Sequence, residues 1–104
     1  MIGIGKYKVA VDHMFFKGDA VFEIEYENGK YEFEIEIENA DYEFDIDITE
    51  AEEDGNTLYA KATVAILPGK TIDITLTFED DKCNGFLKIP FVGKIKIKDA
   101  VKIG

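Results

Sequence analysis

Carboxylates are the commonest side chains in this 104-residue sequence that could do chemistry. Aspartate and glutamate together number 22, beside 12 lysines, one histidine and one cysteine. Acid–base catalysis by a pair of carboxylates requires that one member is desolvated, so that its pKa rises. Most of these acids alternate with apolar residues along predicted strands, and they are therefore expected to face water. We assign no catalytic residue among them.

Three single residues are the remaining candidates for reactivity. His13 has neither a second histidine nor a nearby cysteine with which to bind a metal, and no evident partner for general-base work. Asp99 shares the parity of the apolar residues around it, so it points inward unless a bulge intervenes. Cys83 is either a reactive thiol or a small buried residue, as free cysteines usually are. We expect no metal and no cofactor, and find no positive evidence for an enzyme.

An unusual number of acids is predicted to share one face of a sheet. They are Glu23, Glu25, Glu32, Glu34, Asp45 and Asp47. Like charges directly opposite each other destabilise a sheet. This acidic face is either a solvated surface, tolerated because salt screens each repulsion, or a surface that meets something cationic. The cationic partner would be a basic protein, the lysine-rich last strand of a second copy, or a divalent cation, although nothing resembles a calcium-binding loop.

Charge is divided unevenly along the chain. Residues 1–54 carry 17 acids and 4 lysines, a net charge of −13, whereas residues 55–104 carry 5 acids and 8 lysines, a net charge of +3. The overall net charge of −10 argues against binding to nucleic acid or to an anionic membrane. The sequence also lacks serine and arginine, which excludes a serine nucleophile and an arginine clamp for phosphate.

Alternation of apolar and polar residues runs through nearly the whole chain, and it predicts eight short strands. The alternating apolar sets lie at positions 7–11, 22–26, 31–37, 42–48, 58–66, 72–78, 87–91 and 95–97. Two-residue turns at 28–29, 39–40 and 80–81 place apolar residues opposite apolar residues in each hairpin. At Pro68-Gly69 the parity fails, so we expect a three-residue loop with a bulge there.

Strands that are joined by short turns pair with their neighbours in the chain, which predicts an antiparallel up-and-down meander. Its single apolar face must be covered, so we expect one all-β domain, residues 1–104, in which about eight strands close into a small barrel. A two-sheet β-sandwich is the alternative. The interior of an eight-stranded barrel is either filled by side chains or holds one small ligand.

The inward-facing positions combine large and small residues. Alanines on the fifth strand either pack well against the aromatic rings or leave a cavity beside tyrosine hydroxyls. The residues that would line such a cavity are Tyr26, Tyr31, Tyr42, Phe44, Ala60, Ala62 and Phe78. The loop formed by His13, Met14, Phe15 and Phe16 is unusually apolar. It would cover the barrel mouth as a lid, serve as a contact patch, or plug the barrel end.

Several short motifs give the chain a resemblance to a known family. Gly5-Lys6-Tyr7 opens the first strand, residues 12–18 form a long first connection, and Gly69 and Gly93 lie in later turns. This layout resembles the short bacterial lipocalin-like (calycin) barrels, in which Gly-x-Trp opens the first strand and the first connection lies over the mouth. Tyr7 replaces the tryptophan, and the late arginine of the family has only a lysine counterpart, such as Lys98 or Lys102. The resemblance implies a closed barrel that binds a small apolar molecule.

Two functions are therefore predicted. The first is a barrel that binds a small apolar ligand. The second is a protein-interaction or accessory-subunit module, without catalytic activity, that uses the acidic face and the 13–16 loop and whose association weakens with salt. Because no apolar run is long enough to span a membrane and no signal peptide is evident, we expect a cytoplasmic location.

Overall fold

The computed structural model describes residues 2–13, 16–37, 43–65 and 68–104, with side chains left out at 13, 16 and 43–45. In this part the chain forms a closed barrel of eight antiparallel strands, each paired with its neighbours in sequence and the last paired with the first. The strands are β1 (Gly5–His13), β2 (Phe16–Glu27), β3 (Lys30–Ile37), β4 (Glu43–Asp54), β5 (Thr57–Val64), β6 (Ile72–Glu79), β7 (Lys82–Ile89) and β8 (Gly93–Lys102). The predicted all-β barrel is confirmed, and the sandwich alternative is excluded.

Turn chemistry sets the register of the hairpins. Asn28 and Gly29 both have positive φ, 55° and 78°, as a tight hairpin turn requires, and Glu27 pairs with Lys30 beside them. The 80–81 turn likewise places Phe78 opposite Cys83. Residues 39–40 lie outside the described residues, but the register that they predict between β3 and β4 is present.

A helix long and apolar enough to cross a membrane is not found among the described residues.

Side chains from all eight strands point into the barrel interior. Twenty hydrophobic residues are buried there, and no polar or charged residue of the described part is buried with them. The rings of Tyr7 and Phe22 stack with centroids 5.2 Å apart, and Phe22 stacks on Phe33 at 5.6 Å. Because burying one large aliphatic or aromatic side chain contributes about 1.5–3 kcal/mol, this continuous core is the main term that stabilises the fold.

Three predicted connections are wrong. The long first connection at 12–18 is replaced by a hairpin, because β1 runs to His13, β2 begins at Phe16, and Asp12 pairs with Lys17. β7 ends at Ile89, because Pro90 has no N–H to continue the ladder, and Phe91 therefore lies in the β7–β8 turn, 83% exposed. The three-residue loop at Pro68-Gly69 is also wrong, since β5 ends at Val64 and β6 begins at Ile72, so that the connection spans 65–71. Ile72 pairs with Ala62, and Ala65 lies in a turn, whereas residues 66–67 lie outside the described residues.

A bulge in the β7–β8 pair turns Asp99 towards solvent, as the sequence allowed. The register shifts between Cys83 and Gly85, Asp99 adopts φ 52°, and its N–H donates to Oδ1 of Asn84 at 2.8 Å. Ala100 takes the inward position and is fully buried. The same region requires a glycine, because a Cβ at Gly85 would lie 1.9 Å from the carbonyl oxygen of Thr75.

Candidate functional site

The acidic face forms on β2, β3 and β4 as the sequence predicts. Glu23 lies directly opposite Glu34, and Glu25 lies opposite Glu32. Across the next strand pair, Glu34 lies opposite Asp45, whose side chain is outside the described part. Glu23 is half-buried, whereas Glu25, Glu32, Glu34 and Asp47 are exposed. The β pleat thus gathers Glu23, Glu25, Glu32 and Glu34 into two adjacent rows that run across β2 and β3.

Mutual repulsion marks this face electrostatically. The neighbouring carboxylate of Glu23 raises the pKa of Glu25 above its ordinary value, with smaller contributions from Glu34 and Glu32. Carboxylate oxygens of Glu25, Glu27 and Glu32 all lie within 4.8 Å of one another. Such a surface concentrates negative potential, which attracts a cationic partner and repels an anionic one.

Lysines border the acidic face at its edges. Nζ of Lys30 donates to Oδ1 of Asp47 at 2.7 Å, and both side chains remain more than half exposed. On the adjacent strand Lys6 is in register with Glu23, and Nζ of Lys8 lies 3.9 Å from Oδ2 of Asp19. Lysines therefore lie at two edges of the acidic face, Lys30 at the β2–β3 turn and Lys6 and Lys8 on β1.

A second charged surface lies on β7 and β8. Lys88 is in register with Lys94, and Phe86 is in register with Lys96. All three lysines are exposed, and Nζ of Lys94 lies 4.1 Å from the centroid of the partly buried Phe86 ring, a cation–π contact. We call these four residues the lysine face. In the closed strand order β7 is four strands from β3, so the lysine face lies across the barrel from the acidic face.

Phe91 extends the lysine face at the end of the barrel, and the sequence did not identify it as a functional residue. Its ring is exposed on a turn with φ 69°, and Nζ of Lys70 lies 5.2 Å from the ring centroid. An open pocket of about 530 Å³ joins the turn to the lysine face; Ile89, Val92, Lys88 and Lys94 are among the residues that line it. The signal that could have identified Phe91 is Pro90, which ends the strand before it.

The residues predicted to line a ligand cavity do not share one environment. Tyr31, Ala60 and Ala62 are buried in the core, Phe78 packs partly buried against it, and Tyr26 is 40% exposed. Tyr42 and the side chain of Phe44 lie outside the described residues. So do Met14, Phe15 and the side chains of His13 and Phe16, and the role predicted for that loop stays a prediction.

Tyr31 forms a polar link at the end of the barrel where the N-terminal segment crosses. A bulge between Ile48 and Glu50 reverses the parity of β4 and places Glu53 opposite the buried Leu58. The Tyr31 hydroxyl donates to the Glu53 carboxylate and accepts the N–H of Ile2 at 2.8 Å. Burial and the hydrogen bond to Glu53 raise the pKa of Tyr31 to about 12. Tyr31 is therefore protonated at neutral pH and cannot act as a base.

Cys83 fits the structural interpretation of the free thiol. Its side chain is fully buried, and burial raises the pKa of the thiol to about 12. Since the thiolate is the reactive form, a thiol in this environment is a poor nucleophile.

The described residues form two charged faces on opposite sides of the barrel. A scan against protein-family models finds no match to the chain, and searches of the curated proteins and of the solved structures find none either.

Proposed function

We propose that this barrel is a protein-interaction module that binds a cationic protein segment through its acidic face and has no catalytic activity. The observation that carries the proposal is the direct register of carboxylates, Glu23 with Glu34 and Glu25 with Glu32.

This arrangement costs stability without serving the core. Directly opposed like charges disfavour a strand pair by about 0.2–1 kcal/mol each. The outward positions alternate with the core positions, so lysine could replace any of these acids without changing the packing. β8 carries Lys94 and Lys96 at such outward positions. Local choices that oppose folding without a structural gain are expected at functional sites.

The spacing of the carboxylates suits an extended basic segment. Outward residues on one strand repeat about every 6.8 Å, and neighbouring strands lie about 4.8 Å apart. The side chains of an extended peptide repeat over the same distance on each of its faces. A segment with lysine or arginine at every second residue would therefore place its charges along the acids of one strand, such as Glu32 and Glu34 on β3.

Small-ligand binding, which the lipocalin-like resemblance implies, remains the second candidate function. The closed eight-stranded barrel favours it, because barrels of this size can hold one small ligand. Native mass spectrometry of the purified protein tests it directly. A small molecule retained by the monomer would support the ligand barrel, and a bare polypeptide mass would count against it.

The interaction module is tested with a fluorescently labelled decalysine peptide, whose anisotropy is followed during titration with the protein. The informative variant is Glu25→Gln/Glu32→Gln/Glu34→Gln. A matched control is Glu52→Gln/Asp54→Asn/Glu79→Gln, which removes three exposed acids outside the acidic face and gives the same net charge.

The wild type and the control should bind alike, and the acidic-face variant should bind at least about tenfold more weakly, a difference of about 1.4 kcal/mol. Binding should also weaken between about 0.05 and 0.5 M salt, since exposed charge contacts are screened. Equal losses in the two variants would show attraction to net charge alone and would refute a specific face.

A further inference from the structure

We infer that the lysine face docks on the acidic face of a second copy, so that the chain assembles head to tail. This inference rests on the proposed function, because it assigns the cationic partner of the acidic face. The juxtaposition that carries it is a pair of complementary charged sheet faces on opposite sides of one barrel.

The two faces match in geometry as well as in sign. Lys94 and Lys96 are two residues apart on β8, and Lys88 lies across from Lys94 on β7. Glu32 and Glu34 have the same spacing on β3, with Glu25 and Glu23 opposite them on β2. Both sets follow the pleat of an antiparallel sheet, so several lysines can approach carboxylates at once.

Aromatic side chains lie among the lysines of the lysine face, whereas the described residues at the centre of the acidic face are all carboxylates. The Phe86 ring lies beneath Nζ of Lys94, and Phe91 is 83% exposed at the rim. A bulky residue with positive φ is an uncommon, strained choice for a turn. An exposed aromatic ring on such a turn indicates a contact surface. Moving the ring from water into an interface is favourable because it buries apolar surface.

The dependence of association on ionic strength distinguishes a second copy of the chain from an unrelated polycation. Two chains of net charge −10 repel each other over long range, whereas a polycation is attracted at every distance. At about 0.01 M salt the Debye length of about 30 Å spans the whole molecule, whose extents are 32 × 30 × 22 Å. At about 0.15 M it falls to about 8 Å, so that only the facing surfaces interact. Self-association should therefore be strongest near 0.15 M and weaker both below and above it.

Docking between different faces also determines the form of the assembly. A contact between two unlike patches of the same molecule is heterologous, and it yields an open chain unless its rotation closes a ring. Because the two faces lie across the barrel from each other, we expect linear chains whose mean length grows with concentration.

The test uses two variants that each retain one face. One is the acidic-face variant Glu25→Gln/Glu32→Gln/Glu34→Gln, and the other is the lysine-face variant Lys88→Gln/Lys94→Gln/Lys96→Gln. Sedimentation velocity at about 0.15 M salt, from about 20 µM to about 2 mM protein, covers the weak affinity expected of exposed ion pairs. Circular dichroism confirms that each variant is folded.

The wild type should grow in mass with concentration, each variant alone should be a monomer, and their equimolar mixture should stop at a dimer. A control, Lys17→Gln/Lys61→Gln/Lys102→Gln, should associate like the wild type. The inference is overturned if the wild type stays monomeric throughout or if the two variants do not combine. If the wild type then still binds decalysine through its acidic face, the proposed function survives; if it does not, both fail.

Discussion

Removing charge from the acidic face should stabilise the protein. Glu25→Gln/Glu34→Gln relieves both directly opposed pairs, Glu25 with Glu32 and Glu23 with Glu34. Relief of the Glu23–Glu34 pair should raise the free energy of unfolding by about 0.5 kcal/mol, within the range for such contacts, and relief at the exposed Glu25 acts in the same direction. For a domain of this size, about 0.5 kcal/mol corresponds to a rise in Tm of about 2–4 °C. The same change should weaken binding to decalysine, so that stability and binding move in opposite directions.

Thermal unfolding followed by circular dichroism measures this effect, at about 20 mM and about 500 mM salt. The control Glu52→Gln/Asp54→Asn removes two acids that lie opposite Tyr59 and Thr57, neither of them charged. High salt should narrow the difference in Tm between Glu25→Gln/Glu34→Gln and the wild type. An equal rise in Tm for the control, or no rise at low salt for the variant, would refute the reasoning.

The pH dependence gives an independent check on the same repulsion. Glu25 has a raised pKa in the folded state because Glu23 lies close to it. A raised carboxyl pKa means that the folded state binds the proton more tightly, so its contribution to stability is present below the unfolded pKa of 4.5 and is lost as pH rises through the folded pKa. Lowering the pH from neutral towards the folded pKa of Glu25 should therefore stabilise the wild type relative to Glu25→Gln. A constant Tm difference between the two across that range would contradict this.

Three further predictions concern the barrel itself. Tyr31→Phe removes the hydrogen bonds with Glu53 and Ile2 and should lower the free energy of unfolding by about 1–3 kcal/mol in denaturant titrations. Because the pKa of Tyr31 is raised from 10 to about 12, its stabilising contribution is lost as pH rises through that window, and the wild type should lose more stability there than Tyr31→Phe. Cys83 should react with a thiol reagent only under unfolding conditions, and rapid labelling of the folded protein would contradict its burial. Gly85→Ala should destabilise by about 3 kcal/mol or more, or prevent folding, and wild-type stability would show that β6 and β7 can separate there.

The register could be predicted because the side-chain period of a strand is two. A slip of one residue would expose every apolar side chain, so the hairpins around 28–29 and 80–81 have only one favourable pairing. The same reasoning placed the acidic rows correctly, since they alternate with the core. Closure into a barrel followed from the need to cover one continuous apolar face.

What the sequence did not predict depends on bulges and strand ends. The bulge between Ile48 and Glu50 places Glu53 beside Tyr31. Alternation of apolar and polar residues does not show where a strand carries such an extra residue. Phe91 has the parity of a core residue, but Pro90 ends the strand first and leaves the ring exposed. The sequence predicted a bulge or a strand end at Asp99 without deciding between them, because the bulge depends on how β7 and β8 pair.

The segregation of charge argues against composition as its whole explanation. An acid-rich proteome accounts for a net charge of −10, but it would spread acids over all outward positions of the barrel. Instead, β2 and β3 carry acid opposite acid, whereas β7 and β8 carry lysine opposite lysine. Exchanging the outward residues between these surfaces would leave the core unchanged and would relieve repulsion on both sides. Because folding gains nothing from the segregation, the segregation supports the proposal that the two faces make contacts with other molecules.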